Sequence, residues 1–182
     1  MKWTALVVLA VTVTACSTAQ AAPSVLQRFQ AMHATFRRVT VDAASVASAS
    51  GSLSTSLRRS RGRHIVRSAH LLRARSGRLR RDAVLAIHRL ARLPAGERDG
   101  KVGHYLHLIR TALWHQVREA SSLERVCAVL GRDPYERDAR DAATVARRYA
   151  RARAAARGSV FAVRAAAHWK RIHRAAFRYT PA

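Results

Sequence analysis

Nine histidines are the residues of this chain best suited to binding a metal ion. His104 and His107 lie one turn apart on a predicted helix, a spacing at which two imidazoles can hold one ion. His115 stands about 12 Å further along the same helix, so one helix cannot supply three ligands. Because all three side chains are expected to point away from the apolar stripe of that helix, the sequence favours solvated histidines over a metal site.

A haem site is a second use of the same chemistry. His33 borders an apolar helical face, and with His168 or His173 it could form an axial pair for haem in the core of a helical bundle. The sequence has no CxxCH motif for covalent attachment. A packed, hydrogen-bonded histidine is the simpler interpretation of His33. We therefore expect no cofactor and keep a haem or metal-ion carrier as an alternative.

Motifs for catalysis are missing from the sequence. It contains no glycine-rich phosphate loop, no HExxH, no ExxH pair and no GxSxG. Most acids cluster near one predicted turn, at Glu119, Glu124, Asp133, Glu136, Asp138 and Asp141. Helix capping and pairing with neighbouring arginines explain such a cluster better than a carboxylate-based active site. We expect a protein that is not an enzyme.

The charge balance is strongly basic. Lysine and arginine number 34 against 10 acids, for a formal net charge of +24, and nearly all of the cations are arginine. Such an excess attracts polyanions: nucleic acid, anionic lipid or acidic polysaccharide. The predicted polyanion-binding residues fall in two zones and are Arg58, Arg59, Arg61, Arg63, Arg67, Arg78, Arg81, Arg164, Lys170, Arg171, Arg174 and Arg178. The first zone lacks interleaved aromatic residues, which argues against nucleic acid as the partner.

The C-terminal segment is predicted to be a basic amphipathic helix. Phe161, Trp169 and Phe177 share one helical face, and the cations of the second zone fill the other. The pattern resembles an interfacial membrane helix, in which these three residues would anchor the chain to a membrane or a partner. The alternative is a fifth core helix that packs its aromatic face on the bundle.

The first residues predict export. A basic start is followed by an apolar run that is too short to span a bilayer. The series Val13-Thr14-Ala15-Cys16 resembles the lipobox of bacterial lipoproteins, and the resemblance implies cleavage before Cys16 and a lipid on its thiol. Ala19-Gln20-Ala21 offers a competing site for simple secretion. We expect a signal peptide at 1–22 and a protein that is lipid-anchored to the cell envelope, or else periplasmic or secreted. Export also makes chromosomal nucleic acid an unlikely partner.

Helical periodicity organises the rest as a single domain, 23–182. The clearest stripe is Ile65, Ala69, Leu72, Ser76, Leu79, Ala83, Ile87 and Leu90. We predict helices at 24–49, 64–93, 100–130 and 134–157, with a C-terminal helix reaching about Tyr179. Short connections favour antiparallel neighbours, so the expected fold is all-α, an up-down-up-down four-helix bundle with a basic amphipathic C-terminal helical extension.

Several boundaries rest on local signals. The serine-rich stretch 48–52 is expected to end helix one, and 53–63 to form a loop or an irregular first turn of helix two. Asp133 is predicted as the N-cap of helix four, with Pro134 at its first position and Glu136 reaching back to the cap. Gly158 and the following serine are predicted to kink that helix. On helix four, the apolar face is expected to carry Ala142, Ala146, Tyr149, Ala156, Val160 and Val163.

The sequence thus predicts an exported, lipid-anchored cationic bundle that binds an anionic envelope component or an envelope protein partner. A purely structural protein-interaction bundle is the remaining alternative. Cys127 falls on an apolar stripe and is predicted to be a buried, inert thiol.

Overall fold

The computed structural model describes residue 28 and residues 31–59, 62–93 and 100–177. These residues form four α-helices and one 3₁₀ turn: α1 (His33–Arg58), α2 (Gly62–Ala91), α3 (Lys101–Leu130), α4 (Ala139–Ile172) and the turn Arg174–Phe177. No strand occurs within these ranges, so the all-α prediction is confirmed. The predicted signal peptide with Cys16, and the candidate residues Arg61 and Arg178, lie outside the described residues. None of the described helices has the length and apolar character that crossing a bilayer requires.

The first helix extends well beyond its predicted end. The hydroxyls of Ser52, Thr55 and Ser56 donate to backbone carbonyls four residues earlier at 3.0 to 3.2 Å, so these side chains accompany helical backbone instead of replacing it. Leu53 is fully buried in the core, which gives the segment an apolar reason to remain helical. The predictions that helix one ends at 48–52 and that a loop follows were therefore wrong.

The last helix begins later than its apparent capping signal. Asp138, not Asp133, is the N-cap of α4, and its side chain accepts a 2.7 Å hydrogen bond from the backbone amide of Arg140. The side chain of Asp133 instead accepts a hydrogen bond from the backbone amide of Asp138. Glu136, between them, has a positive φ of 51°, which interrupts helical geometry. The predicted start of helix four was wrong because two capping acids compete within six residues.

The helix α4 is continuous through Gly158, where a kink was predicted. The glycine is explained by packing instead. A Cβ at Gly158 would lie 2.6 Å from Cε1 of His115, so the absence of a side chain makes room for this imidazole of α3. The C-terminal segment is therefore the second half of a single long helix rather than a separate one.

The core draws residues from all four helices. Every residue of the stripe predicted for α2 is buried. Val39 and Val46 of α1 and Leu123 and Leu130 of α3 pack against it. The predicted burial of Cys127 is confirmed, and burial raises the pKa of its thiol to about 12. Such a thiol stays protonated and inert at neutral pH.

The buried face predicted for α4 was wrong at Ala146, Val160 and Val163, whereas Tyr149 packs against the core as predicted. Val160 and Val163 are exposed, and the buried residues are instead small: Val145, Ala152, Ala155, Ser159, Ala162 and Ala166. Alanine occurs on every side of this helix, so its apolar periodicity is weak. The observed face is the one whose small side chains allow close approach to α3, with which α4 shares its most extensive contact.

Each helix contacts mainly its neighbours in sequence. The contacts between helix ends are Thr35 to Arg89 and Ser56 to Ser68 for α1 and α2, and Lys101 to Trp169 and Arg132 to Asp141 for α3 and α4. In both pairs the start of one helix meets the end of the other.

Ser76 leads to a prediction about stability. Its hydroxyl is fully buried on α2 and has no hydrogen-bond partner in the described structure. We expect Ser76→Ala to raise the free energy of unfolding by about 1 kcal/mol, because it removes an unsatisfied polar atom and improves helix propensity. Ser56→Ala is the matched control and should lower stability, since the Ser56 hydroxyl bonds to Ser68 and to the Ser52 carbonyl. Urea unfolding measures both, and a loss of stability in Ser76→Ala would contradict the prediction.

The pairing of Gly158 with His115 predicts non-additive mutations. Gly158→Ala alone should destabilise the protein, because the new methyl group collides with the imidazole. In a His115→Ala background the same change should stabilise by about 1 kcal/mol, the helix propensity gained on replacing glycine. A double-mutant cycle from denaturant unfolding measures the difference. Equal effects in the two backgrounds would show that this contact does not fix the glycine.

Candidate anion-binding surface

The first predicted arginine zone lies in solvent. Arg58 and Arg59 end α1, and the members of the zone on α2 are Arg63, Arg67, Arg78 and Arg81; all six are exposed. The open helix surface leaves their guanidinium groups accessible to a large anion. Exposure alone gives weak, salt-sensitive attraction rather than a defined site.

Acids facing this zone offset part of its charge. Arg78 and Arg81 line a groove between α1 and α2 that also contains Asp42 and Asp82. Burial and the neighbouring Asp82 raise the pKa of Asp42, while Arg78 opposes the shift. On the α3 side of α2, Arg80 forms an ion pair with Glu124 at 3.1 Å. The cationic potential of the zone is therefore reduced at its C-terminal end.

Two of the three predicted anchors pack on α3 instead of facing outward. The indole nitrogen of Trp169 donates a 2.7 Å hydrogen bond to the Lys101 carbonyl, and its ring lies between His104 and His173 with centroid distances of 4.2 Å. The ring of Phe177 meets Tyr105 edge to face. These contacts join the end of α4 to the start of α3, so Trp169 and Phe177 act first as packing residues.

The third anchor, Phe161, lies on the outer face of α4. It is 76% exposed, and Val160 and Ile172 are more than half exposed on the same side. Arg164 and Arg171 occupy positions between them and are also exposed. The second half of α4 thus presents bulky apolar side chains and guanidinium groups together, a combination typical of interfacial helices.

The remaining candidates of the second zone, Lys170 and Arg174, are also exposed. Lys170 lines a groove of about 600 Å³ between α1, α3 and α4, together with His33. The groove is mainly apolar, with walls that include Phe36, Ile109 and Leu113.

The histidines proposed as metal or haem ligands lie on α1, on α3 and at the C-terminal end of α4. His33 and His107 are exposed, and His168 contacts Arg171 on its own helix at 3.0 Å. His104 and His173 flank the same tryptophan ring. Within the described ranges, no three metal-ligating side chains lie together.

A concentrated cationic groove lies between α3 and α4, at residues that the sequence analysis did not select. Its volume is about 560 Å³. Arg118 and Arg125 line it from α3, and Arg148 and Arg151 line it from α4. Its other walls include Trp114, His115, Ser121 and Ser122. No acid is among the described lining residues, in contrast to the groove between α1 and α2.

The sequence spacing of these four arginines indicates part of their arrangement in the groove. Positions 118 and 125 lie two turns apart on one helical face, and positions 148 and 151 lie one turn apart. Only the pairing of α3 with α4 brings the two sets together, and both then line the same groove. Arginine is so frequent in this chain that spacing alone does not distinguish these four.

Comparisons with known protein families, curated proteins and solved structures find no match for this chain.

Glu119 is the acid whose protonation the fold changes most among the described residues. It lines a groove between α1, α3 and α4 of about 500 Å³, facing Ser50 and Ser54 of α1 and Tyr149 and Arg153 of α4. The hydroxyls of Ser50 and Tyr149 lie 3.2 Å apart and are hydrogen-bonded. Burial raises the pKa of Glu119 from 4.5 to about 7, because the carboxylate is poorly hydrated there.

This raised pKa predicts a pH-dependent stability. Between pH 4.5 and about 7 the folded protein retains a proton that the unfolded chain has lost, so the free energy of unfolding falls as pH rises through this window. Glu119→Gln stays neutral and should be more stable than the parent at pH 8, by about 2 kcal/mol after allowance for solvent screening. The advantage should disappear below pH 4.5.

Urea unfolding of both proteins from pH 4 to 8 measures this difference. Glu124→Gln provides the control, because it removes a carboxylate that is paired with Arg80 and should give no gain at high pH. A Glu119→Gln advantage that does not vary with pH would contradict the assigned cause.

Proposed function

We propose that this protein is an exported, lipid-anchored helical bundle without catalytic activity, which docks on an anionic membrane surface of the cell envelope. The docking face is the outer side of the second half of α4. Phe161, Val160 and Ile172 would enter the interfacial region, while Arg164 and Arg171 would contact lipid phosphates.

The proposed architecture is an up-down-up-down bundle in which the second half of α4 is the basic C-terminal element. The end-to-end contacts between α1 and α2 and between α3 and α4 support this topology. The hydrogen bond of Trp169 to the start of α3 supports a fixed orientation for the docking face. A fixed face is required because exposed apolar side chains must approach the membrane together.

The observation that carries the proposal is the exposure of Phe161, at 76%, beside the exposed Arg164 and Arg171. A large aromatic side chain in water contributes nothing to folding, whereas transfer to an apolar phase stabilises it by about 1.5–3 kcal/mol. Each nearby arginine adds about 1 kcal/mol at an anionic surface. A polysaccharide would satisfy the charges but would not bury the apolar groups, so we choose lipid over the other envelope polyanions.

The lipidation predicted at Cys16 is consistent with docking of α4 on a membrane. A lipid on Cys16 would keep the protein near the bilayer, where the face on α4 would meet the lipid headgroups at high effective concentration. Loss of the lipid should then reduce contact of this face with the membrane.

The test is co-sedimentation of the 22–182 fragment with phosphatidylglycerol vesicles and with phosphatidylcholine vesicles during a salt titration. We expect binding to the anionic vesicles that weakens steeply as salt rises, because screening removes the arginine contribution. Phe161→Ser should weaken binding by about tenfold, since it removes apolar insertion. Arg164→Gln with Arg171→Gln should weaken it by a similar factor or more.

Controls separate this face from general charge. Val41→Ser removes an exposed apolar side chain of α1 that lies away from the proposed face, and it should leave binding unchanged. Arg63→Gln with Arg67→Gln removes two charges from α2 and should have the smaller effect. The proposed face would be wrong if both pairs of arginine substitutions weakened vesicle binding equally and Phe161→Ser did not weaken it. Binding to neither vesicle would favour an envelope polysaccharide or a protein partner instead.

A further inference from the structure

The arginine groove between α3 and α4 is separate from the proposed membrane face. Arg118 and Arg125 stand on one wall and Arg148 and Arg151 on the other. None of these residues belongs to the outer face of Phe161 and Arg164. A ligand in this groove would contact two helices at once, whereas the membrane face belongs to α4 alone.

The four guanidinium groups have no acceptor within the described structure. The described ion pairs involve other arginines, and none of the four makes a described side-chain hydrogen bond. Partial desolvation lowers the pKa of Arg148, and the like charges of Arg125, Arg151 and Arg147 lower it further. Arginine stays charged at physiological pH in spite of such a shift, so the groups repel one another. A cluster of this kind does not stabilise the fold, and an anion would relieve its repulsion.

The groove offers more than charge. Ser121 and Ser122 add hydroxyl groups to its lining, and Ser122 is nearly fully buried. His115 forms a further wall, packed over Gly158. Trp114 stands at the edge with 47% of its surface exposed, which gives an apolar or planar group a surface to lie on.

We propose that this groove binds a phosphate-bearing ligand, with the phosphoryl oxygens on the four arginines and an attached apolar or planar group on Trp114. A phosphoryl group presents several oxygens in a geometry that guanidinium forks bind in pairs. A carboxylate presents two oxygens and would leave half of the donors unused. The volume of about 560 Å³ accommodates a pyrophosphate or a phosphomonoester with part of its substituent.

The site goes beyond the proposed membrane docking, because it is a discrete pocket with saturable binding. Vesicle binding can fail while phosphate binding persists, and the reverse can also occur. The two proposals therefore have independent outcomes. The shared chemistry is the phosphoryl group, whose source is either a soluble phosphorylated compound or a phospholipid headgroup.

The experiment is calorimetric titration of the purified protein with inorganic pyrophosphate at two salt concentrations. We expect one saturable site per chain that persists at the higher salt, because paired hydrogen bonds in a partly buried groove are screened less than surface charge. Tryptophan fluorescence gives a local readout. Trp114→Phe should keep the binding and lose the fluorescence change, whereas Trp169→Phe should keep both.

Variants test the groove against general electrostatics. Arg125→Gln with Arg148→Gln should weaken pyrophosphate binding at least about tenfold. Arg63→Gln with Arg67→Gln removes the same net charge from α2 and should change it less than about threefold. Arg125→Lys with Arg148→Lys keeps the charge and loses the fork geometry, so we expect an intermediate loss. These residues are on the surface, and circular dichroism verifies that each variant remains helical.

The source of the phosphoryl group is decided by comparing soluble and lipid probes. Pyrophosphate that competes with phosphatidic acid vesicles in the parent protein, but not in the Arg125/Arg148 glutamine variant, would assign a phospholipid headgroup. Tight pyrophosphate binding with no such competition would assign a soluble ligand. Equal losses in the groove variant and in the α2 control, or no saturable binding, would overturn the proposal.

Discussion

The contact between α3 and α4 is the interaction on which both the arginine groove and the exposed outer face of α4 depend. The α4 side of the contact consists largely of alanine and serine, which allow the two backbones to lie close together. Gly158 takes part for the same reason, because it leaves space for the His115 ring. Once α4 is seated on these small residues, the bulky side chains on its opposite side have no place in the core. Phe161 and Ile172 are exposed as a result.

The contact between α3 and α4 also fixes the positions of the arginines that line the groove. A narrow interface brings the arginines that flank it on α3 towards those on α4, and no acid lies between them in the described groove. The α1 and α2 pair differs, because Asp42 and Asp82 lie beside its arginines. The protein has a net charge of +24 and only 10 acidic residues. The positions of these acids therefore decide where the repulsion between arginines is offset and where it remains. Proteins commonly give up some folding stability at a functional site, and repulsion between arginines in a concave site is one form of that loss.

The sequence predicts the helical class and the core of α2 and α3 because large apolar residues recur there at helical spacing. It fails where the signals are ambiguous. Serine and glycine near position 51 suggest a loop, yet the hydroxyls bond to the helix and the buried Leu53 keeps it folded. Alanine on all sides of α4 hides which face is buried, and only tertiary packing selects it. The arginine groove could not be predicted for a related reason, since its two halves are distant in sequence and arginine is common throughout.

The two proposed sites place different demands on the same helix. Docking of the outer face of α4 on a membrane needs the helix to keep its orientation, and the contacts of Trp169 with His104 and the start of α3 provide this. A phosphoryl group in the groove would bridge α3 and α4 and replace repulsion with attraction across their contact. Binding to the folded state alone stabilises that state. A ligand in the groove would therefore strengthen the seating of α4, so the docking face would become more rigid when the groove is occupied.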